Sequence, residues 1–330
     1  GDSDSEELDM LDDNELSEAL KESGAITVAL QDVKKAIGPD REEWKMALDA
    51  ELQSLRLSGA VETVLKLPAG AKPLPMKMVT TLKPIADSSR KKKKARACVC
   101  GNFQKKEANE RLYTANTDIT SIRLVLSEAA QNKNYGISSL DVETAFLNTP
   151  MPTEKGSEVY VTPPRLLVDF GLLPEGEIWV LKKAVYGLRV SPRLWGKERD
   201  KLLEKLRFTY GKIVLRLCKT GIDLALWTIV EDTNHNQLHE VQTFGYVLTY
   251  VDDFLIVGSK PIRSRIEEEI ARTWSCKLTG EVDQYNIDNP AQSLTFLSTT
   301  IRSPPDGGFL LDQELFVKDR LSTWQMTESN

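Results

Sequence analysis

The pattern of hydrophobic and polar positions divides the chain into short strands and amphipathic helices. Some segments are continuously apolar or alternate between apolar and polar residues, and they end at Gly, Pro or Asp. They predict strands or hairpins over residues 60–66, 75–85, 91–103, 136–142, 243–251, 254–258 and 294–312. Apolar positions three or four residues apart predict helices over residues 26–38, 41–57, 121–134, 193–208 and 262–274, and a short helix at the end.

Two of these helices begin at recognisable capping signals. Asp40 and Glu43 form a D-x-x-E pattern, which predicts that a helix begins after Pro39. Ser191 and Pro192 supply an N-cap and a first-turn proline for the helix that follows them, and its many basic residues are expected to face outward.

The runs over residues 243–251 and 254–258 are separated only by Asp252 and Asp253. This pattern predicts a buried hairpin with carboxylates at its tip. A third carboxylate, Asp141, lies where the strand over residues 136–142 ends. The alternative interpretation is an ordinary polar turn, since Asp is a common turn residue.

Unpaired carboxylates in an apolar hairpin are costly unless a cation compensates them. Carboxylate oxygens on rigid strands suit Mg²⁺, which leaves its other positions to water and phosphates. A third carboxylate would allow two metal ions about 3.5 to 4 Å apart, the arrangement used in phosphoryl transfer. The hairpin is therefore a candidate metal site.

Composition matches a globular protein, with 41% hydrophobic and 28% charged residues. The four cysteines are too few and too scattered for a disulfide framework and are expected to be reduced and structural. The longest apolar stretch contains two aspartates, and the N-terminus has no features of a secretory signal. We therefore expect an intracellular protein without a membrane span.

Charge is distributed unevenly along the chain. Residues 1–22 hold ten acids and one base and are expected to form a disordered tail. Residues 77–106 hold ten bases and one acid, and residues 181–216 hold eleven bases and three acids. Basic blocks of this kind are typical of proteins that bind polyphosphates, although a charge run can also be a solvated face.

Six segments resemble, in order, the reverse transcriptase domain of copia-type long-terminal-repeat retrotransposon Pol polyproteins. The strongest are GYVLTYVDDFLIVG, which resembles the Tyr-x-Asp-Asp catalytic hairpin, and LDVETAFLN, which resembles the first catalytic motif. The others are WVLKKAVYGLRVSPRLW, KKKKARACVCGNFQ, EEWKMALDAELQSL and LTFLSTTIRSPPDGGFLLDQELFVKDRL. Together they cover roughly residues 41–326, which makes the resemblance far more specific than any one motif.

The resemblance implies an α+β fold, a right-hand polymerase with fingers, palm and thumb whose antiparallel palm sheet is backed by helices. Residues 1–38 would be the acidic tail and a short helix, and residues 39–330 the reverse transcriptase domain with a partial thumb. The implied partners are an RNA or DNA template with its primer, deoxynucleoside triphosphates, and other Pol segments such as integrase and ribonuclease H. The implied location is the cytoplasm, the nucleus or virus-like particles.

The resemblance also assigns roles to single residues. Asp141, Asp252 and Asp253 match the catalytic carboxylates, which with the carbonyl of Val142 would bind two Mg²⁺ ions, or Mn²⁺. The residues implied to bind the deoxynucleotide are Arg96, Lys94, Phe146, Tyr186 and Gly187, with Phe146 excluding a 2′-hydroxyl. Those implied to contact nucleic acid are Lys182, Lys183, Arg189, Arg193 and Tyr250. The segment from Phe296 to Leu311 would hold the primer end.

Some positions depart from the family pattern, among them Ser298, which replaces a glycine in the closing hairpin. Residues 207–242 match poorly and are interpreted as a site of insertion. Two further functions stay open: a decayed remnant that only binds nucleic acid, and an unrelated two-metal nuclease or phosphatase. His235 and His239 are four residues apart, but their polar surroundings favour an exposed loop over a metal site.

Overall fold

The structure is a computed structural model that describes residues 25–85, 90–104, 115–154, 156–232, 242–286 and 292–323. The acidic tail and the pair His235 and His239 lie outside these residues. Within the described ranges, no helix has the length and apolar character needed to cross a membrane.

The described residues contain both helices and strands throughout their length. The first half contains, in order, β1 (Ile26–Val28), α1 (Leu30–Lys35), α2 (Gly38–Leu57), β2 (Val61–Thr63), β3 (Leu74–Pro84), β4 (Lys91–Val99), α3 (Ile119–Ala130), β5 (Tyr135–Val142), β6 (Tyr160–Thr162), α4 (Arg165–Asp169) and β7 (Trp179–Leu181). The second half contains α5 (Ser191–Lys205), β8 (Arg207–Tyr210), β9 (Ile213–Lys219), β10 (Leu226–Glu231), β11 (Thr243–Tyr250), β12 (Asp253–Ser259), α6 (Lys260–Thr273), β13 (Cys276–Asp283), β14 (Ser293–Phe296), β15 (Thr299–Arg302), β16 (Leu310–Asp312) and α7 (Glu314–Thr323). The prediction of a mixed fold of helices and sheets is confirmed.

The described residues form two compact units. The first comprises the residues before Tyr113 together with Phe146–Trp195, and the second comprises the rest. The first unit contains a six-stranded sheet in the order β1-β3-β6-β7-β2, with β4 paired to β3. All of its pairings are antiparallel except that of β3 with β6.

Helix α2 covers β4 in the first unit. Its apolar side chains at helical spacing are all buried, as the sequence predicted, at Trp44, Leu48, Leu52 and Leu55. The carboxylate of Glu51, also on α2, accepts a hydrogen bond of 2.9 Å from the backbone N–H of Ala97 in β4. Most of the basic block over residues 77–106 lies in the hairpin of β3 and β4, which pair over nine residues each.

The start of α2 differs from the prediction. The helix begins at Gly38, and no side chain caps it. Asp40 and Glu43 instead bind the ammonium group of Lys93 on β4, which is 3.0 Å from Glu43 Oε2 and also lies over the ring of Trp44. Binding a nearly buried cation satisfies these carboxylates better than the capping box would, because a charge pair adds Coulomb attraction to the hydrogen bond.

The helix predicted over residues 26–38 is also partly wrong. Ile26–Val28 form β1, which pairs with β3, and only Leu30–Lys35 are helical. The β-branched residues at the start of this segment favour a strand once an open sheet edge is available to pair with.

The second unit contains a wholly antiparallel seven-stranded sheet in the order β13-β5-β12-β11-β10-β9-β8. Strands β9 and β10 lie in the region that the sequence pattern had left without elements, and β8 begins at Arg207, within the last residues of the helix predicted over residues 193–208. The buried guanidinium of Arg263 on α6 donates to the carbonyl of Ile137 on β5 and to Glu281 and Asp283 on β13. These hydrogen bonds from Arg263 hold α6 against β5 and β13.

A separate three-stranded sheet, β14-β15-β16, forms from the segment predicted as the closing hairpin. A turn that includes Asp306–Gly308 lies between β15 and β16. A second turn joins β14 to β15 through Leu297 and Ser298, which both have positive φ, at 49° and 59°. Such a two-residue turn favours Asn and Gly, so its residues here are strained.

Candidate active site

The predicted hairpin with carboxylates at its tip is confirmed. Strands β11 and β12 pair from Gly245 and Gly258 up to Tyr250 and Asp253, so that only Val251 and Asp252 connect them. Strand β12 is buried except at its two ends, and β11 is buried at Gly245 and over residues 247–249. This packing fixes the register and so fixes where the carboxylates lie.

Strand β5 brings the third carboxylate beside this hairpin. Asp141 lies directly across from Asp253 in the antiparallel pairing of β5 with β12. Residues opposite each other in such a pair have Cα atoms about 4.5–5.5 Å apart and point to the same face of the sheet. The backbone N–H of Val142 donates to the carbonyl of Asp252 at 3.1 Å, so the end of β5 also holds the hairpin tip.

Burial and mutual repulsion perturb this group of carboxylates. Burial raises the pKa of Asp253 to about 7, and the neighbouring charges of Asp252 and Asp141 act in the same direction. Among the residues that the structure describes, no group of three or more His, Cys, Asp or Glu side chains could hold a metal ion as placed. The donor set itself, hard oxygens that repel one another, is of the kind that Mg²⁺ compensates.

Strand β13 adds two residues that the sequence analysis missed. Cys276 and Lys277 lie opposite Val142 and Asp141 on the other edge of β5. Burial raises the pKa of the Cys276 thiol to about 11, and the charge of Asp141 adds to the effect. In β13 the residues Cys276, Leu278 and Val282 alternate with polar residues, which is a signal that could have predicted this strand. A register shift between Leu278 and Gly280 interrupts its pairing with β5.

In the first unit the structure brings three of the predicted nucleotide-binding residues together. The guanidinium of Arg96 lies 4.8 Å from the ring centre of Tyr186. The ring of Phe146 meets that of Tyr186 edge to face, with centroids 4.8 Å apart. Strand alternation turns Lys94 to the same side of β4 as Arg96, and Lys93 to the side covered by α2. Lys94 and Lys93 therefore have different surroundings although they are adjacent.

Gly187 permits a close approach of two chain segments, because it lies against the backbone of Val99 on β4. Its φ is +80°, and a Cβ built there would lie 2.1 Å from the carbonyl oxygen of Val99. The adjacent carbonyl of Tyr186 accepts a hydrogen bond of 2.8 Å from the N–H of Val99. Gly187 thus allows the Tyr186 segment to dock on the end of β4.

The residues predicted to contact nucleic acid lie in several elements. Lys182 follows β7, is exposed and forms an ion pair of 3.2 Å with Glu62. Lys183 and Arg189 are half-buried in the segment before α5, and Arg193 is half-buried in the first turn of α5. Tyr250 is exposed at the end of β11, in the second unit. Their contact with nucleic acid stays a prediction.

The comparison with protein families gives one match, described as reverse transcriptase (RNA-dependent DNA polymerase), over residues 60–230. This range is about half of the chain and includes Asp141, Phe146 and Arg96, and it ends before the hairpin of β11 and β12. The chain belongs to the reverse transcriptase family.

The chain is also similar to transposon proteins. It is 27% identical over 290 residues to the retrovirus-related Pol polyprotein from transposon TNT 1-94 of Nicotiana tabacum, covering 87% of the chain and 19% of that protein. It is 27% identical over 221 residues to the Pol polyprotein from transposon RE1 of Arabidopsis thaliana, covering 67% of the chain and 13% of that protein. It is 25% identical over 199 residues to a transposon Ty5-1 protein of Saccharomyces cerevisiae, covering 58% of the chain and 52% of that protein.

The chain therefore spans less than two thirds of the length of each of these relatives. The prediction that it is a reverse transcriptase domain of a retrotransposon Pol polyprotein is confirmed.

Proposed function

We propose that the chain is an RNA-directed DNA polymerase of a copia-type long-terminal-repeat retrotransposon. It would join deoxynucleotides to the 3′-hydroxyl of a primer on an RNA or DNA template. The observation that carries the proposal is the strand register that sets Asp141 directly across from Asp253, with Asp252 at the adjoining hairpin tip. Membership of the reverse transcriptase family supports it.

Three carboxylates and one carbonyl would hold two Mg²⁺ ions, for which Mn²⁺ could substitute. They are those of Asp141, Asp252 and Asp253, and the carbonyl of Val142. Bound Mg²⁺ would lower the pKa of the primer 3′-hydroxyl and neutralise the charge that develops on the leaving pyrophosphate. The burial and raised pKa of Asp253 support the assignment, since a cation would offset the repulsion among these groups.

Other side chains bind and orient the nucleotide. Arg96 and Lys94 would bind the triphosphate through charge-assisted hydrogen bonds. The ring of Phe146, which Tyr186 supports edge to face, would contact the sugar and exclude a 2′-hydroxyl.

We also assign the elements to the parts of a right-hand polymerase spanning residues 39–330. The seven-stranded sheet would be the palm, the hairpin of β3 and β4 part of the fingers, and the three-stranded sheet the hairpin that holds the primer end. The basic residues Lys182, Lys183, Arg189 and Arg193, together with Tyr250, would contact the template and primer. Contacts of this kind go mainly to phosphates and depend on salt.

Primer extension on an RNA template tests the proposal. Wild-type protein with Mg²⁺ should extend the primer with deoxynucleotides and far less with ribonucleotides. Asp252→Asn should abolish extension, because it removes a proposed metal ligand while it conserves side-chain shape. Asp32→Asn is the matched control, since Asp32 is exposed on α1, outside the residues assigned to the polymerase, and should be dispensable.

Three outcomes would contradict the proposal. Salt-sensitive duplex binding without extension would indicate a remnant that binds nucleic acid and does no chemistry. Degradation of the labelled primer in the absence of nucleotides would indicate a nuclease. Extension that survives Asp252→Asn would mean that the hairpin carboxylates do not carry the activity.

A further inference from the structure

The connection between β11 and β12 contains a strained residue directly before Asp252. Val251 has a φ of 50°, in the left-handed region that β-branched residues rarely occupy. Such a conformation persists only when the surroundings enforce it. The contacts that hold Val251 in this conformation therefore help to set the positions of Asp252 and Asp253.

Both sides of Val251 are held by hydrogen bonds within the second unit. Its N–H donates to Oδ1 of Asn116 at 3.0 Å. Its carbonyl accepts a hydrogen bond of 3.2 Å from Nη1 of Arg199 on α5. The N–H of Thr117 donates to the carbonyl of Thr249 on β11 at 3.0 Å, so residues 115–117 run alongside the end of that strand.

Arg199 also binds this neighbouring segment. Its Nη2 donates to the carbonyl of Ala115 at 3.5 Å, so one guanidinium bridges residues 115–117 and the hairpin tip. The sequence pattern had predicted that the bases of α5 face outward, but the Arg199 side chain is completely buried. A planar guanidinium donates to two carbonyls from separate nitrogens at fixed relative positions, whereas the donors of a lysine all come from one nitrogen.

The charge of Arg199 is compensated inside the same unit. Oδ1 of Asp200 accepts from Nε and Nη2 of Arg199 at 3.1 and 3.0 Å. Oδ2 of Asp200 accepts from Nζ of Lys219 at 2.5 Å. Burial lowers the pKa of Arg199 and the charge of Asp200 opposes that effect. The ion pair keeps the guanidinium charged while its remaining donors reach backbone carbonyls.

We propose that Arg199 is a positioning residue of the polymerase: its guanidinium holds Val251 in the left-handed conformation and so sets the position of Asp252 and Asp253. This inference rests on the proposed function, but the geometric part of it does not require activity. The competing interpretation is that Arg199 is only a core ion pair that stabilises α5.

Single-turnover incorporation of one deoxynucleotide separates the two interpretations. Arg199→Gln should lower the maximal rate about tenfold to a hundredfold, the scale of a small misplacement of catalytic groups. The apparent nucleotide Kd should change less than about twofold, because ground-state binding is not affected. Val251→Gly, added to Arg199→Gln, should recover part of the lost rate, because glycine adopts positive φ without strain. Lys205→Gln is the matched control, since Lys205 is exposed at the end of the same helix.

Hydrogen exchange gives a readout that does not depend on polymerase activity. In the folded protein, Arg199→Gln should speed exchange in the peptide covering residues 249–253. Asn116→Ala is the second variant, in case the arginine variant folds poorly. It should also speed exchange in this peptide, because it removes the Oδ1 acceptor of the Val251 N–H, and it should fold normally because Asn116 is exposed. Exchange in β14 and β15, which make none of these contacts, should stay unchanged in both variants.

The proposal would be overturned if exchange over residues 249–253 were the same in wild type, Arg199→Gln and Asn116→Ala. It would also be overturned if Val251→Gly failed to recover any rate in the Arg199→Gln background while both proteins were folded. If even wild-type protein did not extend a primer, the proposed function would fail, and the exchange data would still decide whether Arg199 holds the hairpin tip.

Discussion

Replacing Gly187 by alanine tests how the Tyr186 segment docks on β4. The new Cβ would lie 2.1 Å from the Val99 carbonyl oxygen and 3.0 Å from its nitrogen, and these backbone atoms cannot move aside cheaply. Val99 is fully buried, and its N–H is bound to the carbonyl of Tyr186. The substitution should therefore displace Tyr186 and break this hydrogen bond.

The size of the effect follows from two contributions. An L-residue at positive φ costs about 1–2 kcal/mol. A buried N–H that loses its partner costs about 1–3 kcal/mol more. Gly187→Ala should thus lower the free energy of unfolding by about 2–5 kcal/mol.

Gly70→Ala is a matched control in the same unit. Gly70 also has a φ of +80°, but nothing lies within 4 Å of a Cβ built there. The backbone strain and the change in unfolded-state entropy are then common to both variants. The two can be compared by urea unfolding followed by tryptophan fluorescence. Equal destabilisation by both substitutions would refute the argument. It would mean that the contact of the new Cβ with the Val99 backbone does not lower the free energy of unfolding.

Three further predictions concern single side chains. Ser298→Gly should raise the free energy of unfolding by about 0.5–1 kcal/mol in urea unfolding, because glycine relieves the positive φ of 59° at a small entropic cost. Lys93→Gln should lower stability by about 0.2–1 kcal/mol, because its ion pairs go to the exposed carboxylates of Asp40 and Glu43, and should leave nucleotide affinity unchanged. Lys94→Gln, in contrast, should weaken nucleotide affinity in a binding titration. Burial raises the pKa of the Cys98 thiol to about 12, above the unfolded value of about 8.5, so stability should fall as pH rises between these values. Cys98→Ala should make that slope shallower by about 1.4 kcal/mol per pH unit, measured as unfolding midpoints against pH, and an unchanged slope would contradict the burial of the thiol.

Local periodicity was sufficient to predict several elements of the fold. The β11–β12 hairpin and the helices α3 and α6 follow from apolar positions that repeat with the period of one element type. The hairpin also predicted where Asp252 and Asp253 would lie, because buried strands on both sides leave only the tip for charge.

Features that depend on tertiary contacts could not be predicted in this way. Arg199 looks like any exposed base of an amphipathic helix, and only the fold shows that the hairpin tip supplies its acceptors. Asp40 and Glu43 fit a capping box, but Lys93 from a distant strand competes for them. Strand β13 alternates apolar and polar residues, but that pattern does not say which strand it pairs with, so its place beside Asp141 follows from the fold.

Single-nucleotide incorporation by Asp253→Asn tests the central claim most directly. Asp253 lies opposite Asp141 on the adjacent strand, and the amide keeps the shape of the side chain while it removes the charge. Wild-type protein should add one deoxynucleotide to a primer on an RNA template in the presence of Mg²⁺. The variant should bind the same duplex with equal affinity and add none. Incorporation by the folded variant at the wild-type rate would contradict the assignment of these carboxylates as the catalytic group.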